Sequence, residues 1–124
     1  MIGYITLGTN DVKRAAAFYD ALLAEIGAKR TMESEGFVAW GVSPKHPALG
    51  IIAPFNGEAA TVGNGSMAAL VVKTKEQVQA VYNKAIELGG KDEGGPGPRG
   101  DSGFYAAYFR DLDGNKLNAF CMGG

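Results

Sequence analysis

Few residues of this chain could perform nucleophilic or acid–base chemistry in a familiar combination. His46 is the only histidine and Cys121 the only cysteine among the 124 residues. A catalytic serine or cysteine needs a histidine beside it, and His46 lies in the segment KHPAL, which we interpret as a solvated surface loop. Cys121 lies on a predicted strand and is expected to pack as a small buried hydrophobe. The sequence therefore predicts no nucleophilic catalytic group.

The glycine-rich and charged segments also lack the pattern of a nucleotide or nucleic-acid site. The segment GGKDEGGPGPRG neither follows a clear strand nor opens a helix, as a phosphate-binding loop would. Arg99–Asp101 reads Arg-Gly-Asp, which we interpret as a coincidence of three residues. The 12 basic and 13 acidic residues give a net charge of -1, without a basic stripe carrying interleaved aromatics. We therefore expect no binding to nucleic acid or to anionic membranes.

Length and composition predict one soluble domain in a reducing compartment. A chain of 124 residues with 46% hydrophobic residues is typical of a single globular domain. No apolar run approaches the length of a membrane span, and no signal peptide is visible. A single cysteine excludes an internal disulfide. We therefore expect a cytoplasmic protein.

Hydrophobic periodicity predicts two helices among several short strands. The helices are predicted over Val12–Ile26 and Glu76–Leu88. Asn10 or Asp11 should cap the first helix, and the pattern Thr-x-x-Gln from Thr74 should cap the second. Strands are predicted over Ile2–Gly8, Lys29–Ser34, Phe37–Val42, Leu49–Ala53, Ser66–Lys73 and Lys91–Glu93, followed by a loop over Gly94–Ser102 and a closing hairpin.

The predicted order β-α-β-β-β occurs twice, which indicates a duplicated module. Residues 1–55 form module one, the polar and glycine-rich residues 56–65 form a linker, and residues 66–124 form module two. Tyr19 and Tyr82 are separated by 63 positions (82 − 19), and several other similar residues share this separation. The same offset matches Tyr4 with Met67.

The segment YFRDLDGNKLNAF, residues 108–120, predicts a strand, a tight turn and a second strand. Aspartates in the turn can bond to nearby backbone, and Gly114 can adopt a positive φ. This segment resembles the closing hairpin of the glyoxalase / bleomycin-resistance / extradiol dioxygenase (vicinal oxygen chelate) superfamily. In that pattern the turn reads Asp-Pro-Asp-Gly-Asn, and the second strand usually carries a metal-binding Glu. Here Leu112 replaces the proline and Asn118 occupies the Glu position.

The resemblance extends from Ile2 to Cys121 and implies an α+β fold. In this fold two βαβββ modules form a curled mixed sheet around a cleft. Metal-using members hold a divalent ion with four ligands from equivalent strands. Those four positions correspond here to residues that are poor ligands for such an ion, namely Tyr4, Gly50, Met67 and Asn118. We therefore expect no metal and no cofactor, and we do not transfer the catalytic residues of the metal-dependent enzymes.

Strand alternation predicts which side chains line the cleft. Leu7, Leu70, Leu117 and Ile5 should face the helices. Tyr4, Thr6, Met67, Ala69, Asn118 and Phe120 should face the concave side. Trp40 and Tyr105 are included as further lining residues, although sequence does not fix the face on which they lie. The predicted ligand-binding residues are therefore Tyr4, Trp40, Met67, Tyr105, Asn118 and Phe120, unless these residues simply pack the cleft shut.

The favoured function is a metal-free protein that binds a small hydrophobic or aromatic molecule, similar to the bleomycin-sequestering members. One alternative is a glyoxalase-family enzyme, either lactoylglutathione lyase-like or an isomerase. A second alternative is a dimeric domain without chemistry. The resemblance also implies a homodimer, because exposed sheet edges are usually covered by a second chain.

Overall fold

The computed structural model describes residues 1–123, which form eight strands and two helices. The order β-α-β-β-β repeats, as predicted. The last residue of the predicted module two, Gly124, lies outside the described residues. Neither helix of the described part is long and apolar enough to cross a bilayer. The elements are β1 Tyr4–Gly8, α1 Val12–Ala24, β2 Lys29–Ser34, β3 Phe37–Gly41, β4 Ala48–Ile52, β5 Ala68–Val71, α2 Lys75–Glu87, β6 Lys91–Pro98, β7 Tyr105–Arg110 and β8 Lys116–Cys121.

The strands form two four-stranded mixed sheets, one in each module. The strand orders are β1-β4-β3-β2 and β5-β8-β7-β6. In each sheet the first strand runs parallel to the last, and the remaining pairs are antiparallel. Thr6 lies opposite Gly50 in module one, and Ala69 lies opposite Asn118 in module two. The fold class is therefore confirmed, and Gly50 and Asn118 occupy equivalent positions, as their alignment predicted.

Both helices begin at the residue types that the sequence predicted as caps. Asp11 Oδ1 accepts a hydrogen bond from Arg14 N at 3.1 Å. Thr74 Oγ1 accepts one from Gln77 N at 3.1 Å, and Gln77 Oε1 accepts one from Lys73 N at 3.0 Å. These bonds satisfy backbone donors that the first turn of a helix leaves free. Both helices end one or two residues before their predicted ends, at Ala24 and Glu87.

The main difference from the predicted elements is β6, which continues to Pro98 through residues predicted as a loop. β6 is an edge strand, where prolines such as Pro96 are tolerated because the outer side of the strand needs no donor. Its pairing with β7 shifts register on both sides of Gly94. Gly94 has a φ of +146°, a conformation that favours glycine at such a bulge. The glycine- and proline-rich composition of this segment therefore led to the prediction of a loop where the structure has a bulged edge strand.

One apolar core joins the two modules. It contains buried side chains from α1 and α2 and from the helix-facing side of both sheets, and α1 contacts α2 directly. The predicted helix-facing residues Leu7, Leu70 and Leu117 belong to this core or pack against it. Ile5 lies on the same face of β1 but remains 38% exposed. Each sheet therefore has one face in the common core and one concave face outside it.

A polar network at the turn between β7 and β8 also connects the modules. Tyr19 Oη, from α1, donates a buried 2.6 Å hydrogen bond to Asp111 Oδ2. Asn115 Nδ2 donates to Asp111 Oδ2 at 3.0 Å and to Gly8 O at 2.9 Å, and Asn10 N donates to Asp113 Oδ1 at 3.1 Å. Burial, and next the negative charge of Asp111, raise the pKa of Tyr19 well above its usual value. The turn that resembled a simple hairpin connection therefore joins the two halves.

Candidate functional sites on the two concave faces

The concave face of module one forms an open apolar cup, called here the module-one cup. Its cavity volume is about 330 Å³. Tyr4 is 65% exposed, and its ring meets the ring of Phe37 edge-on with centroids 6.5 Å apart. Aromatic pairs in this geometry form a rigid apolar wall. The cup is lined by Gly3, Tyr4, Thr31, Met32, Phe37, Ala39, Gly41, Ser43, Pro44, His46 and Ala48.

Gly50 shapes the floor beneath this wall. A Cβ atom at this position would lie 2.7 Å from Cε1 of Phe37, which is closer than real side chains approach. Glycine therefore allows the Phe37 ring to lie across β4. The position that resembled a missing metal ligand instead makes room for an aromatic ring.

His46 lies at the rim of the module-one cup, in the exposed loop where the sequence placed it. Its Nδ1 is 2.6 Å from Ser43 Oγ, and Lys45 N donates to the same hydroxyl at 3.2 Å. Within the described residues no carboxylate hydrogen-bonds to this histidine. The pair is a polar turn beside the cup, without the third group that orients a catalytic histidine.

The concave face of module two forms a second cavity, called here the module-two cleft, with a volume of about 520 Å³. The linker supplies one wall. Met67, which was predicted on a strand, precedes β5 and lines the same cleft. β7 and β8 supply the opposite wall. The lining residues are Val62, Gly63, Asn64, Gly65, Ser66, Met67, Tyr108, Arg110 and Lys116.

Positive charge surrounds Tyr108 in this cleft. The Nζ of Lys116 and the Cζ of Arg99 each lie 5.4 Å from the centroid of the Tyr108 ring. Arg110 pairs with Glu93, with Nη2 2.7 Å from Oε1. Arg99 donates to Gly95 O and Gly97 O, at 2.8 and 2.7 Å. The arginine of the Arg-Gly-Asp tripeptide is therefore fixed on its own sheet.

Asn118 projects from the concave face of β8, opposite Tyr108. It is only 2% exposed, and its Oδ1 has no hydrogen-bond partner among the described residues. A buried polar atom without a partner costs about 1–3 kcal/mol. Phe120, two residues further along the same face, stacks on Phe104 with centroids 5.4 Å apart. The predicted facing of both residues agrees with the strand register.

Trp40 and Tyr105, which were included as lining residues, lie on the other face of their strands. Trp40 is buried against Tyr19, and its Nε1 donates to Asp20 Oδ1 at 2.9 Å. The hydroxyl of Tyr105 accepts a 2.9 Å hydrogen bond from Gln79 on α2. Both residues therefore lie on the helix-facing side of their sheets, and the two concave faces are formed by other residues.

The remaining predicted residues do not share one cleft in the single chain. Tyr4 lies in the module-one cup, whereas Met67, Asn118 and Phe120 lie on the concave face of module two. The sequence prediction missed Phe37, Tyr108 and Lys116. Counting outward from the turn pairs Arg110 with Lys116, and then Tyr108 with Asn118. The sequence therefore held a signal for Tyr108, although none for Phe37.

Comparison with known proteins matches residues 1–119 to the Glyoxalase/Bleomycin resistance protein/Dioxygenase superfamily. The chain belongs to this superfamily. A glyoxalase/bleomycin resistance protein from Albidiferax ferrireducens T118 is 35% identical, with a TM-score of 0.91 and 99% of each chain covered. A hypothetical protein from S. aureus is 28% identical, with a TM-score of 0.74, covering 98% of this chain and 92% of the other.

A third solved structure shares the fold at lower identity. The genomically encoded fosfomycin resistance protein of Listeria monocytogenes is 15% identical, with a TM-score of 0.73, covering 99% of this chain and 93% of the other. No curated protein sequence matches the chain.

The residues at the superfamily's metal-binding positions do not fit a divalent ion here. Gly50 offers no donor and is covered by the ring of Phe37. Met67 offers a thioether, which is too soft for ions that prefer oxygen and nitrogen. Tyr4 would have to lose its proton to bind a metal. Among residues 1–123, no three His, Cys, Asp or Glu side chains are grouped so that they could hold a metal ion.

Proposed function

We propose that this protein binds a small apolar or aromatic molecule on its concave surface without using a metal ion. The observation that carries the proposal is the wall formed by Tyr4 and Phe37 over the glycine floor of the module-one cup. A concave, mostly apolar cavity with a few polar groups at its rim is the usual form of a small-molecule site. Ser43 and His46 supply such groups at one edge.

Sequestration of a drug or metabolite is the concrete form of this proposal. The similar Albidiferax protein carries a bleomycin-resistance name and the Listeria structure a fosfomycin-resistance name, which supports this class of function. On module two, we propose that Met67, Asn118 and Phe120 extend the ligand surface. The unpartnered amide of Asn118 could hydrogen-bond a carbonyl, hydroxyl or amide of a ligand once the cleft rearranges to reach it.

We also propose a homodimer, in which a second copy covers the exposed edges of the two sheets. β1 and β5 are edge strands with one side unpaired. Tyr4, Met67 and Val71 leave large apolar side chains exposed along these edges. Two-fold pairing would bury this surface and protect both edges from other partners. We propose a cytoplasmic location, which agrees with a buried and unpaired Cys121.

A ligand screen with two matched variants tests the binding proposal. Neutral planar compounds such as 1-naphthol would be screened by thermal shift and then titrated by calorimetry. Tyr4→Ala should weaken binding of the best compound about tenfold, because it removes half of the aromatic wall. Phe55→Ala is the control, since Phe55 is fully exposed outside the cup. Equal affinities for wild type and Tyr4→Ala, with both folded, would contradict the assignment to the cup.

Activity measurements separate this function from the glyoxalase alternative. Conversion of the methylglyoxal–glutathione hemithioacetal requires a Lewis acid and a base to stabilise an enediolate. The donor set at Tyr4, Gly50, Met67 and Asn118 supplies neither, so turnover should stay at background when Ni²⁺ or Zn²⁺ is added. Metal-stimulated turnover well above background would favour the enzyme instead.

A further inference from the structure

The module-two cleft carries positive charge that its surroundings do not balance. Arg99, Arg110 and Lys116 all lie around Tyr108, and Glu93 is the carboxylate that pairs with one of them, Arg110. Within the described residues, no carboxylate lies within ion-pair distance of Lys116 or Arg99. The whole chain has a net charge of -1, so the positive charge around this cleft is opposite in sign to the net charge of the protein.

The fold does not require these cations, because module one has the same strand arrangement and lacks them. Ala39 faces Gly50 in module one as Tyr108 faces Asn118 in module two. Two residues beyond each pair, toward the connection between its two strands, module one has small residues where module two has cations. The matching sets are Ala39, Gly41 and Ala48 in module one and Tyr108, Arg110 and Lys116 in module two. One scaffold therefore supports an apolar cup in one half and a cationic cleft in the other.

The three cations are not equally available to a ligand. Arg110 is held by Glu93 and by Gly114 O, and Arg99 is held by backbone carbonyls of β6. Lys116 lines the cleft, and its Nζ has no hydrogen-bond partner among residues 1–123. Lys116 can therefore contact an anion directly, while the fixed arginines raise the local potential.

A second, independent observation points to a ligand at the same place. The side chain of Asn118 lies next to Lys116 on the concave face of β8 and opposite Tyr108, and its buried oxygen has no partner. Rotation of the amide would direct its N–H groups to this position instead. Once the cleft rearranges to reach Asn118, its amide would supply a hydrogen bond to the same oxyanion for which Lys116 supplies the countercharge.

We infer that the module-two cleft binds a small organic oxyanion, a carboxylate or phosphate on a planar group, with Lys116 as its countercharge. The planar group would rest against the ring of Tyr108, and the oxyanion would lie toward Lys116 and Asn118. This inference does not depend on a neutral ligand in the module-one cup, because the two cavities share no lining residue.

Titration with three related probes tests the inference. Benzoate and phenyl phosphate carry the two oxyanions on the same ring, and benzamide is the neutral analogue. Each would be titrated into the full chain by NMR, at low and at physiological ionic strength. Both anions, or one of them, should saturate and shift backbone resonances around Tyr108, with weaker binding at the higher ionic strength. Benzamide should bind at least about tenfold more weakly than the better anion.

Variants of Lys116, with a matched control, test whether this residue supplies the countercharge to the anion. Lys116→Gln should weaken binding of the better anion about tenfold, whereas Lys116→Arg should largely retain it. Lys75→Gln is the control, because Lys75 lies 5.6 Å from the ring of Tyr105 on the opposite face of the same sheet. It should leave binding unchanged. Saturable shifts for neither anion, equal binding of benzamide, or equal losses in Lys116→Gln and Lys75→Gln would each overturn the inference. A failed 1-naphthol screen would leave these results unaffected.

Discussion

Replacing Asn118 by leucine should stabilise the folded protein while removing a polar ligand contact. Leucine has the same number of side-chain heavy atoms and the same branching as asparagine, so it can occupy the same space without a polar atom. Asn118 is 2% exposed and its Oδ1 lacks a partner. An unmade hydrogen bond of this kind costs about 1–3 kcal/mol, and slight overpacking by the larger methyl groups offsets part of it. We expect a net gain of about 1 kcal/mol.

Asn115→Leu is the matched control, since Asn115 lies in the closing turn of the same hairpin and is also buried. Its amide donates to Gly8 O and to Asp111 Oδ2, so the same substitution removes the amide donor to Gly8 O and leaves Asp111 Oδ2 with Tyr19 Oη as its remaining side-chain donor among the described residues. This variant should lose about 2–3 kcal/mol. The free energy of unfolding would be measured by urea denaturation, with the emission of Trp40 and the far-ultraviolet circular dichroism as independent probes.

The two variants should therefore shift the urea midpoint in opposite directions. A loss of more than about 1 kcal/mol in Asn118→Leu would refute the reasoning, because it would mean that the amide already has a partner in the folded protein. In that case Asn118 would have a structural role, and its place in the ligand surface would need to be abandoned. The stabilised variant should also bind the best anion of the cleft more weakly than wild type.

Further predictions concern the joint between the modules, the metal and the assembly. Tyr19→Phe should destabilise the protein by about 1.5–3 kcal/mol in urea denaturation, because a buried bond to a carboxylate is lost, whereas Tyr82→Phe should change little because its bond to Asp92 is exposed. Because the pKa of Tyr19 is raised by folding, wild type should lose stability relative to Tyr19→Phe above about pH 10, where the unfolded tyrosine ionises first. Elemental analysis of protein purified without chelator or affinity tag should find far less than one Ni, Zn, Mn or Fe per chain; one tightly held ion would contradict our interpretation of the donor set. Light scattering at micromolar concentration should give the mass of a dimer, and a monomer mass would count against pairing through β1 and β5.

The sequence was informative where a local pattern determines the structure. The alternation in KLNAFCM places Asn118 on one face and Leu117 on the other, and the strand register agrees. The capping patterns at Asp11 and Thr74 were equally local. The alignment of LGII with LNAF was enough to match Gly50 with Asn118 before any register was known.

The sequence was not informative where the answer depends on contacts between distant residues. The face of Trp40 follows from its bond to Asp20 and its contact with Tyr19, which no periodicity within a five-residue strand reveals. The placement of α1 against the closing turn also depends on contacts between distant residues. One of these contacts is the buried hydrogen bond between Tyr19 and Asp111, which are 92 positions apart. Hydrophobic patterns carry no information about such a bond.

The closing turn has a consequence for how the two halves of the chain could diverge. Tyr19 bonds across to module two, whereas its counterpart Tyr82 bonds to Asp92 within its own module. The two modules are therefore not interchangeable, because equivalent tyrosines make their hydrogen bonds to different modules. Exchanging the two halves would therefore lose the buried bond of the joint and would also interchange the apolar cup and the cationic cleft.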